Sequence, residues 1–192
     1  GVVAPNPYYT KAVADRAMRE IFIPTLNAMN AEGRPFKGCL YFGLMITADG
    51  PKVIEYNSRF GDPETQAVLP LLKSDLLQIM LAVEEERLSE VSVEFMDKSS
   101  CALVLASKGY PEKYETGYEI TENGVQGEIF YAGVKRVDGK IVTSGGRVLA
   151  VTEVRDDLAN AIAAAYADAD RIDFKTKYFR HDIGQRALAA KK

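Results

Sequence analysis

From Thr10 onward, apolar residues recur every three to four positions. Ala14, Ala17, Met18, Ile21, Leu26 and Met29 share one face of a helix predicted from Lys11 to about Asn30. Thr10 can cap its first turn, Pro24 should kink or divide it, and Glu32-Gly33-Arg34-Pro35 ends it. The preceding Gly1–Tyr9 is rich in Pro and Asn, has no period and reads as a loop. Gly38–Thr47 is a continuous apolar run with aromatics, as expected of a buried strand. Ala48-Asp49-Gly50 is a hairpin turn signal, and Lys52–Ser58 is the antiparallel partner. Asp62 suits an N-cap and Pro63 a first helical position, so a helix is predicted to about Arg87, with an irregularity at Pro70. Its apolar content (Leu69, Leu72, Leu76, Leu77, Ile79, Met80, Val83) predicts deep burial.

Leu88–Lys98 is charged and weakly patterned, and a domain boundary near Phe95 divides the chain into residues 1–95 and 96–192. Strands dominate the second half. Cys101–Ser107 is apolar, Glu128–Val137 and Lys140–Thr143 flank an Asp138-Gly139 turn, and Arg147–Val154 follows the Gly145-Gly146 corner. Asp157–Ile172 is Ala-rich and helical, and Arg180–Ala190 is a last helix. There is no internal repeat and no low-complexity tract.

The chain has 192 residues and a net charge of −3. No Lys/Arg cluster forms a basic stripe, which argues against a nucleic-acid partner. The longest apolar runs, such as Leu76–Val83, are too short for a bilayer, and the start shows no signal-peptide pattern. Cys39 and Cys101 lie in apolar, strand-like runs and read as buried free thiols, which suits a cytoplasmic protein. No Cys/His group has zinc spacing, and a single histidine, His181, leaves little material for Ser-His or Cys-His catalysis.

The chemistry concentrates in Val53–Gln66. Strand alternation places Glu55, Asn57 and Arg59 on one face, with Ile54 and Tyr56 on the other. A pair of oxygen ligands for a hard cation, beside a guanidinium that can fork onto phosphate, is what a magnesium–nucleotide site needs. Spacing alone also fits an ordinary exposed strand face. Asp62-Pro63-Glu64 reads either as a helix start favoured by the dipole or as a corner holding a substrate amine or a Mg²⁺-bound group. Gly145-Gly146-Arg147 reads either as a strand corner or as a phosphate contact.

The run Val53–Gln66 closely resembles the signature of the phosphoribosylamine–glycine ligase (glycinamide ribonucleotide synthetase) family of purine biosynthesis. Further landmarks follow in the same order: Phe36–Met45, Ser74-Asp75-Leu76, Gly109-Tyr110-Pro111, Gly145-Gly146-Arg147-Val148 and Asp182–Ala187. The resemblance covers essentially the whole chain. It implies an α/β ATP-grasp C-terminal lobe, an antiparallel sheet with flanking helices, followed by a small β-rich α+β domain. The family activates glycine with ATP as an acyl phosphate, and the amine of phosphoribosylamine displaces the phosphate. By resemblance, Glu55 and Asn57 bind Mg²⁺ (or Mn²⁺), and Arg59 is the catalytic residue steadying the transferred phosphoryl group. Asp62, Pro63 and Glu64 lie near the glycine and phosphoribosylamine sites, and Gly145, Gly146 and Arg147 bring the second domain to the substrates.

The chain departs from the pattern in places. Many ATP-grasp relatives carry a second carboxylate about twelve residues before the Glu of E-x-N; here that residue is Gly43, leaving two direct metal ligands. Tyr131 and Val134 stand where His and Thr are expected, Ser144 where Asn is common, and His181 where Lys is usual. The chain is expected to be the C-terminal part of a longer enzyme, missing its N-terminal domains and inactive alone. The alternatives are another ATP-grasp carboxylate–amine ligase, or a non-catalytic docking module.

Overall fold

The computed structural model describes residues 1–190, so the last two residues of the expected second domain lie outside it. The chain forms two compact units interleaved in sequence. One gathers Gly1–Pro5, Asp62–Leu71 and the residues from Asp97 onward; the other gathers Asn6–Gly61 and Leu72–Met96. In chain order the elements begin with β1 (Val2–Ala4), α1 (Lys11–Ala17), α2 (Ile23–Ala31), β2 (Tyr41–Thr47), β3 (Gly50–Asn57), α3 (Glu64–Val68) and α4 (Leu76–Glu84). They continue with β4 (Ser99–Ser107), β5 (Thr121–Glu122), β6 (Glu128–Tyr131), β7 (Val134–Val137), β8 (Lys140–Thr143) and β9 (Arg147–Arg155). Last come α5 (Leu158–Arg171), β10 (Ile172–Asp173), β11 (Lys177–Tyr178) and α6 (Gln185–Ala189).

In the unit built on Asn6–Gly61, the Thr10 hydroxyl accepts from Val13 N–H at 3.4 Å and starts α1. The helix is divided, as Pro24 predicts. Met18–Phe22 widens into a π turn, with Ile23 N–H bonded to the Met18 carbonyl. Pro24 explains the change of pitch: it has no N–H and its ring crowds the carbonyl four residues back. β2 and β3 form the expected hairpin, from Tyr41 opposite Asn57 to Thr47 opposite Gly50. The pairing steps from Gly43↔Glu55 to Leu44↔Val53, which leaves Ile54 as the extra residue of a bulge. Strict alternation from Lys52 to Ser58 therefore fails at Ile54, and β3 ends at Asn57, before Arg59. Beyond the bulge Phe42 packs on Phe22 (centroids 4.4 Å apart) and edge-on to Tyr56 (5.3 Å).

The helix expected from Asp62 to Arg87 is two helices. α3 ends at Val68 and passes into a 3₁₀ turn, Leu69–Leu71, around Pro70, whose missing donor and ring break the ladder. Leu72 then bridges to Phe95, and α4 starts afresh with Asp75 accepting from Gln78 N–H at 3.1 Å. Deep burial is not found either: Leu77 is 62% and Met80 45% exposed. Leu76, Leu77, Ile79, Met80, Leu81 and Val83 surround a nine-residue helix, more apolar surface than a single packed face can cover.

The other unit has a substantial core. β4 is central in a sheet of order β1-β4-β9-β6, and β11 pairs with the same edge of β4 further along. Cys101, Leu103 and Leu105 of β4 and Leu149 and Val151 of β9 meet Leu158, Ala161, Ile162, Ala165 and Ala169 of α5. Those α5 positions follow the 3.6-residue period. Each large apolar side chain buried here contributes about 1.5–3 kcal/mol. On the opposite face of the sheet Ser100 Oγ donates to the Ala67 carbonyl of α3 at 2.6 Å. The run expected as one strand over Glu128–Val137 divides at Ala132-Gly133: β6 pairs with β9, β7 with β8.

One polar network lies inside this core. Asp168 is 1% exposed, Glu153 3%. The Asp168 carboxylate accepts from Gln126 and Gly127 N–H (3.1 and 2.7 Å) and from Arg171 (2.6 Å). Arg155 pairs with Glu153. Burial pushes the Glu153 carboxyl up, helped by its hydrogen bond to Asp168. Burial pushes Asp168 up too, but its amide, Glu153 and Arg171 donors outweigh that and hold it below the usual range.

Candidate functional site

The hairpin brings Glu55 and Asn57 together. They follow the bulge two residues apart, and Asn57 Nδ2 donates to Glu55 Oε1 at 3.0 Å. Glu55 is exposed and Asn57 half-buried. With its amide nitrogen on Glu55, Asn57 Oδ1 is left as an acceptor beside a carboxylate. This donor set is all oxygen and suits Mg²⁺, which takes one or two protein ligands and completes its shell with water and phosphate oxygens. Among the described residues there is no group of three or more His, Cys, Asp and Glu side chains that could hold a metal ion. Arg59 is not a third strand residue. It lies past the end of β3, exposed, and its Nη1 donates to the Phe60 carbonyl at 2.8 Å. The same unit holds a cavity of about 730 Å³ lined by Thr25, Met29, Phe36, Leu40 and Tyr56 among others; neither Glu55 nor Asn57 lines it.

In the other unit the structure joins two motifs that lie 85 residues apart. Arg147 Nη2 meets Asp62 Oδ2 at 3.2 Å, and its Nη1 donates to the Asp62 carbonyl at 2.9 Å. Asp62 Oδ1 accepts from Gln66 Nε2 at 2.8 Å. Asp62 therefore does not cap the helix as expected; Pro63 occupies the cap position with no side-chain bond, and Glu64 opens α3. The carboxylate instead ties the Asp62-Pro63-Glu64 corner to α3 and to the start of β9.

The glycines before Arg147 are required by packing. A Cβ at Gly145 would sit 2.9 Å from Gly133 Cα, and one at Gly146 would sit 2.1 Å from the Tyr110 ring. Ser107 holds the same corner, through Oγ to the Gly145 carbonyl (3.0 Å) and N–H to the Gly146 carbonyl (2.8 Å). Gly109-Tyr110-Pro111, Gly133 and Gly145-Gly146-Arg147 thus form one assembly. Sequence reading missed Ser107 and Gln66, since a lone Ser at a strand end and a Gln in a helix carry no signal until their partners are placed. Tyr131, at a position where His is expected, donates its hydroxyl to Glu122. Burial and that carboxylate push the phenol up to about 12, which keeps it a donor.

Two family models match in chain order: "Phosphoribosylglycinamide synthetase, ATP-grasp (A) domain" over residues 1–65 and "Phosphoribosylglycinamide synthetase, C domain" over residues 100–186. The chain belongs to the phosphoribosylglycinamide synthetase family. It is 49% identical to the bifunctional purine biosynthetic protein PUR2,5 of Pichia angusta, over 100% of this chain and 25% of that protein. It is 45% identical to the phosphoribosylamine–glycine ligase of Fusobacterium nucleatum, over 96% of this chain and 45% of that one. The crystal structure of the phosphoribosylamine–glycine ligase of Thermotoga maritima superposes with a TM-score of 0.80 at 35% identity, covering 90% of this chain and 44% of that chain. The chain thus spans less than half the length of these relatives. Its fold is the family's ATP-grasp C-terminal lobe, antiparallel strands with flanking helices, followed by the β-rich C domain. No helix among the described residues is long and apolar enough to cross a membrane.

Proposed function

We propose that this chain supplies the metal-binding half-site and the C-terminal domain, divided as residues 1–95 and 96–192, of an ATP-dependent ligase that joins glycine to 5-phosphoribosylamine in purine biosynthesis. The observation that carries this reading is the Glu55–Asn57 pair at 3.0 Å on a hairpin within the matched ATP-grasp region. Glu55 and Asn57 would hold Mg²⁺ or Mn²⁺, which supplies charge neutralisation between ATP and the glycine carboxylate. In the first step a glycine carboxylate oxygen attacks the γ-phosphorus of ATP and ADP leaves. In the second, the phosphoribosylamine nitrogen attacks the acyl carbon, phosphate leaves, and the nitrogen loses a proton. Arg59 steadies charge on the moving phosphoryl group once its side chain turns from Phe60 toward ligand. Asp62, Pro63 and Glu64 present the corner to glycine and the amine. Gly145 and Gly146 let Arg147 reach that corner, so Arg147 acts by positioning Asp62. The two free thiols, Cys39 and Cys101, fit a cytoplasmic setting. The remaining N-terminal portion of such an enzyme is the partner this half-site needs.

The test is ADP formation by a full-length protein carrying this chain. It should require both glycine and phosphoribosylamine, and R59A should lower kcat by about 10²–10³-fold, the scale of removing one donor to transition-state charge. The 192-residue chain alone should stay at background. ADP formation indifferent to either substrate, or unchanged turnover in E55Q, overturns the assignment.

A further inference from the structure

The geometry points to Gly43 as a positioning residue that, with the Ile54 bulge, aims Glu55; this rests on the proposed metal half-site. Gly43 lies directly across the hairpin from Glu55 and is buried. A Cβ built on it would lie 2.8 Å from Glu55 Cγ, a separation that packed carbons do not reach. The clash is with the stem of the side chain, not its mobile end, so Glu55 would have to leave its rotamer. The Glu55 backbone is not itself in the way: the same Cβ would make ordinary contacts of 3.5 Å with the Glu55 carbonyl oxygen and 3.7 Å with its nitrogen, so the conflict falls on the side chain.

The bulge acts at the same place. Gly43 pairs with Glu55 and Leu44 with Val53, so the extra residue Ile54 immediately precedes the proposed ligand. Bulges bend a strand and re-aim the side chains beside them. Asn57, two residues further on and on the same face, meets the Glu55 side chain at 3.0 Å. A further consequence concerns the ligand count. With Glu55 Cγ filling the space over Gly43, a carboxylate side chain at position 43 and Glu55 in its present rotamer exclude one another. The hairpin therefore offers a two-ligand site by construction, and a carboxylate introduced at position 43 should displace a ligand, not add one.

The experiment uses the whole labelled chain and Mn²⁺ alone as probe, followed by NMR. In the wild type Mn²⁺ should broaden the Asn57 side-chain amide selectively. G43A should shift that amide in metal-free protein and weaken the Mn²⁺ effect by about tenfold, as for other residues that orient a ligand. G43D should not bind more tightly than the wild type, and E55Q combined with G43A should lose no more than E55Q alone. Retention of Phe42–Tyr56 cross-strand contacts establishes that the hairpin is intact. If G43A disturbs them, deletion of Ile54 tests the same device and should weaken Mn²⁺ similarly. Wild-type amide shift and Mn²⁺ broadening in G43A, or tighter binding in G43D, overturn the positioning role while leaving the half-site standing. Absence of selective broadening at Asn57 in the wild type overturns the half-site itself and the inference with it.

Discussion

The two compact units bury very different side chains. The sheet-and-α5 unit encloses Leu103, Leu105, Leu149, Val151, Leu158 and Ile172, all at most 1% exposed. In the unit holding Glu55 and Asn57, the buried side chains among the described residues are small: Ala17, Pro51 and Ala82. That unit leaves Met45, Ile54, Tyr56, Leu77 and Met80 about half exposed or more. Burial of large apolar side chains is the main favourable term in folding, so the first unit is the thermodynamic anchor of this chain. The proposed metal pair sits on the other, where side chains can still move to meet ligand.

The contrast breaks most visibly in a pair of truncations. Leu103→Ala removes a fully buried side chain and should cost about 2–5 kcal/mol, whereas Met80→Ala should stay within about 0.5 kcal/mol. Urea unfolding monitored in both units checks this. Equal losses would mean that the two units share their packing energy.

Asp168→Asn should cost about 1–3 kcal/mol, because the amide cannot satisfy two backbone donors and Arg171 as the carboxylate does. The sign with pH follows from the lowered Asp168 value. Its stabilisation is present above the ordinary carboxylate value of 3.8 and is lost as pH falls through the still lower folded value. Glu153, pushed upward, acts oppositely: its share is present in acid and is lost as pH rises through its raised value. Stability curves of the wild type should therefore fall below about pH 4, and D168N should lack that part of the drop. Superimposable acid limbs would remove Asp168 from the account.

The smallest effect is expected at the Asp62–Arg147 pair. Both side chains are close to 40% exposed, so a double-mutant cycle of D62A and R147A should give a coupling of only about 0.2–1 kcal/mol. Larger coupling would make this corner a structural clamp in its own right; none would leave Arg147 free for ligand.

Much of this was legible in the chain because it depends on neighbours. The Ala48–Gly50 hairpin, the Thr10 cap, the Ala-rich helix α5 and the separation of Glu55 from Asn57 are set by local periodicity and turn chemistry. Resemblance supplied what periodicity could not, namely the family. What tertiary structure alone decided is non-local. Pro70 could be read as an irregularity, but only the packing shows α3 and α4 joining different units. Asp62 looked like a helix cap until Arg147, 85 residues on, paired with its carboxylate and bonded its carbonyl. The buried Glu153–Asp168 network and the fit of Gly146 against Tyr110 give no sequence signal, since each depends on side chains brought together only when strands and helix close. The Ile54 bulge is of the same kind: a residue's face is a property of two strands in register, and one strand's sequence carries half of that information.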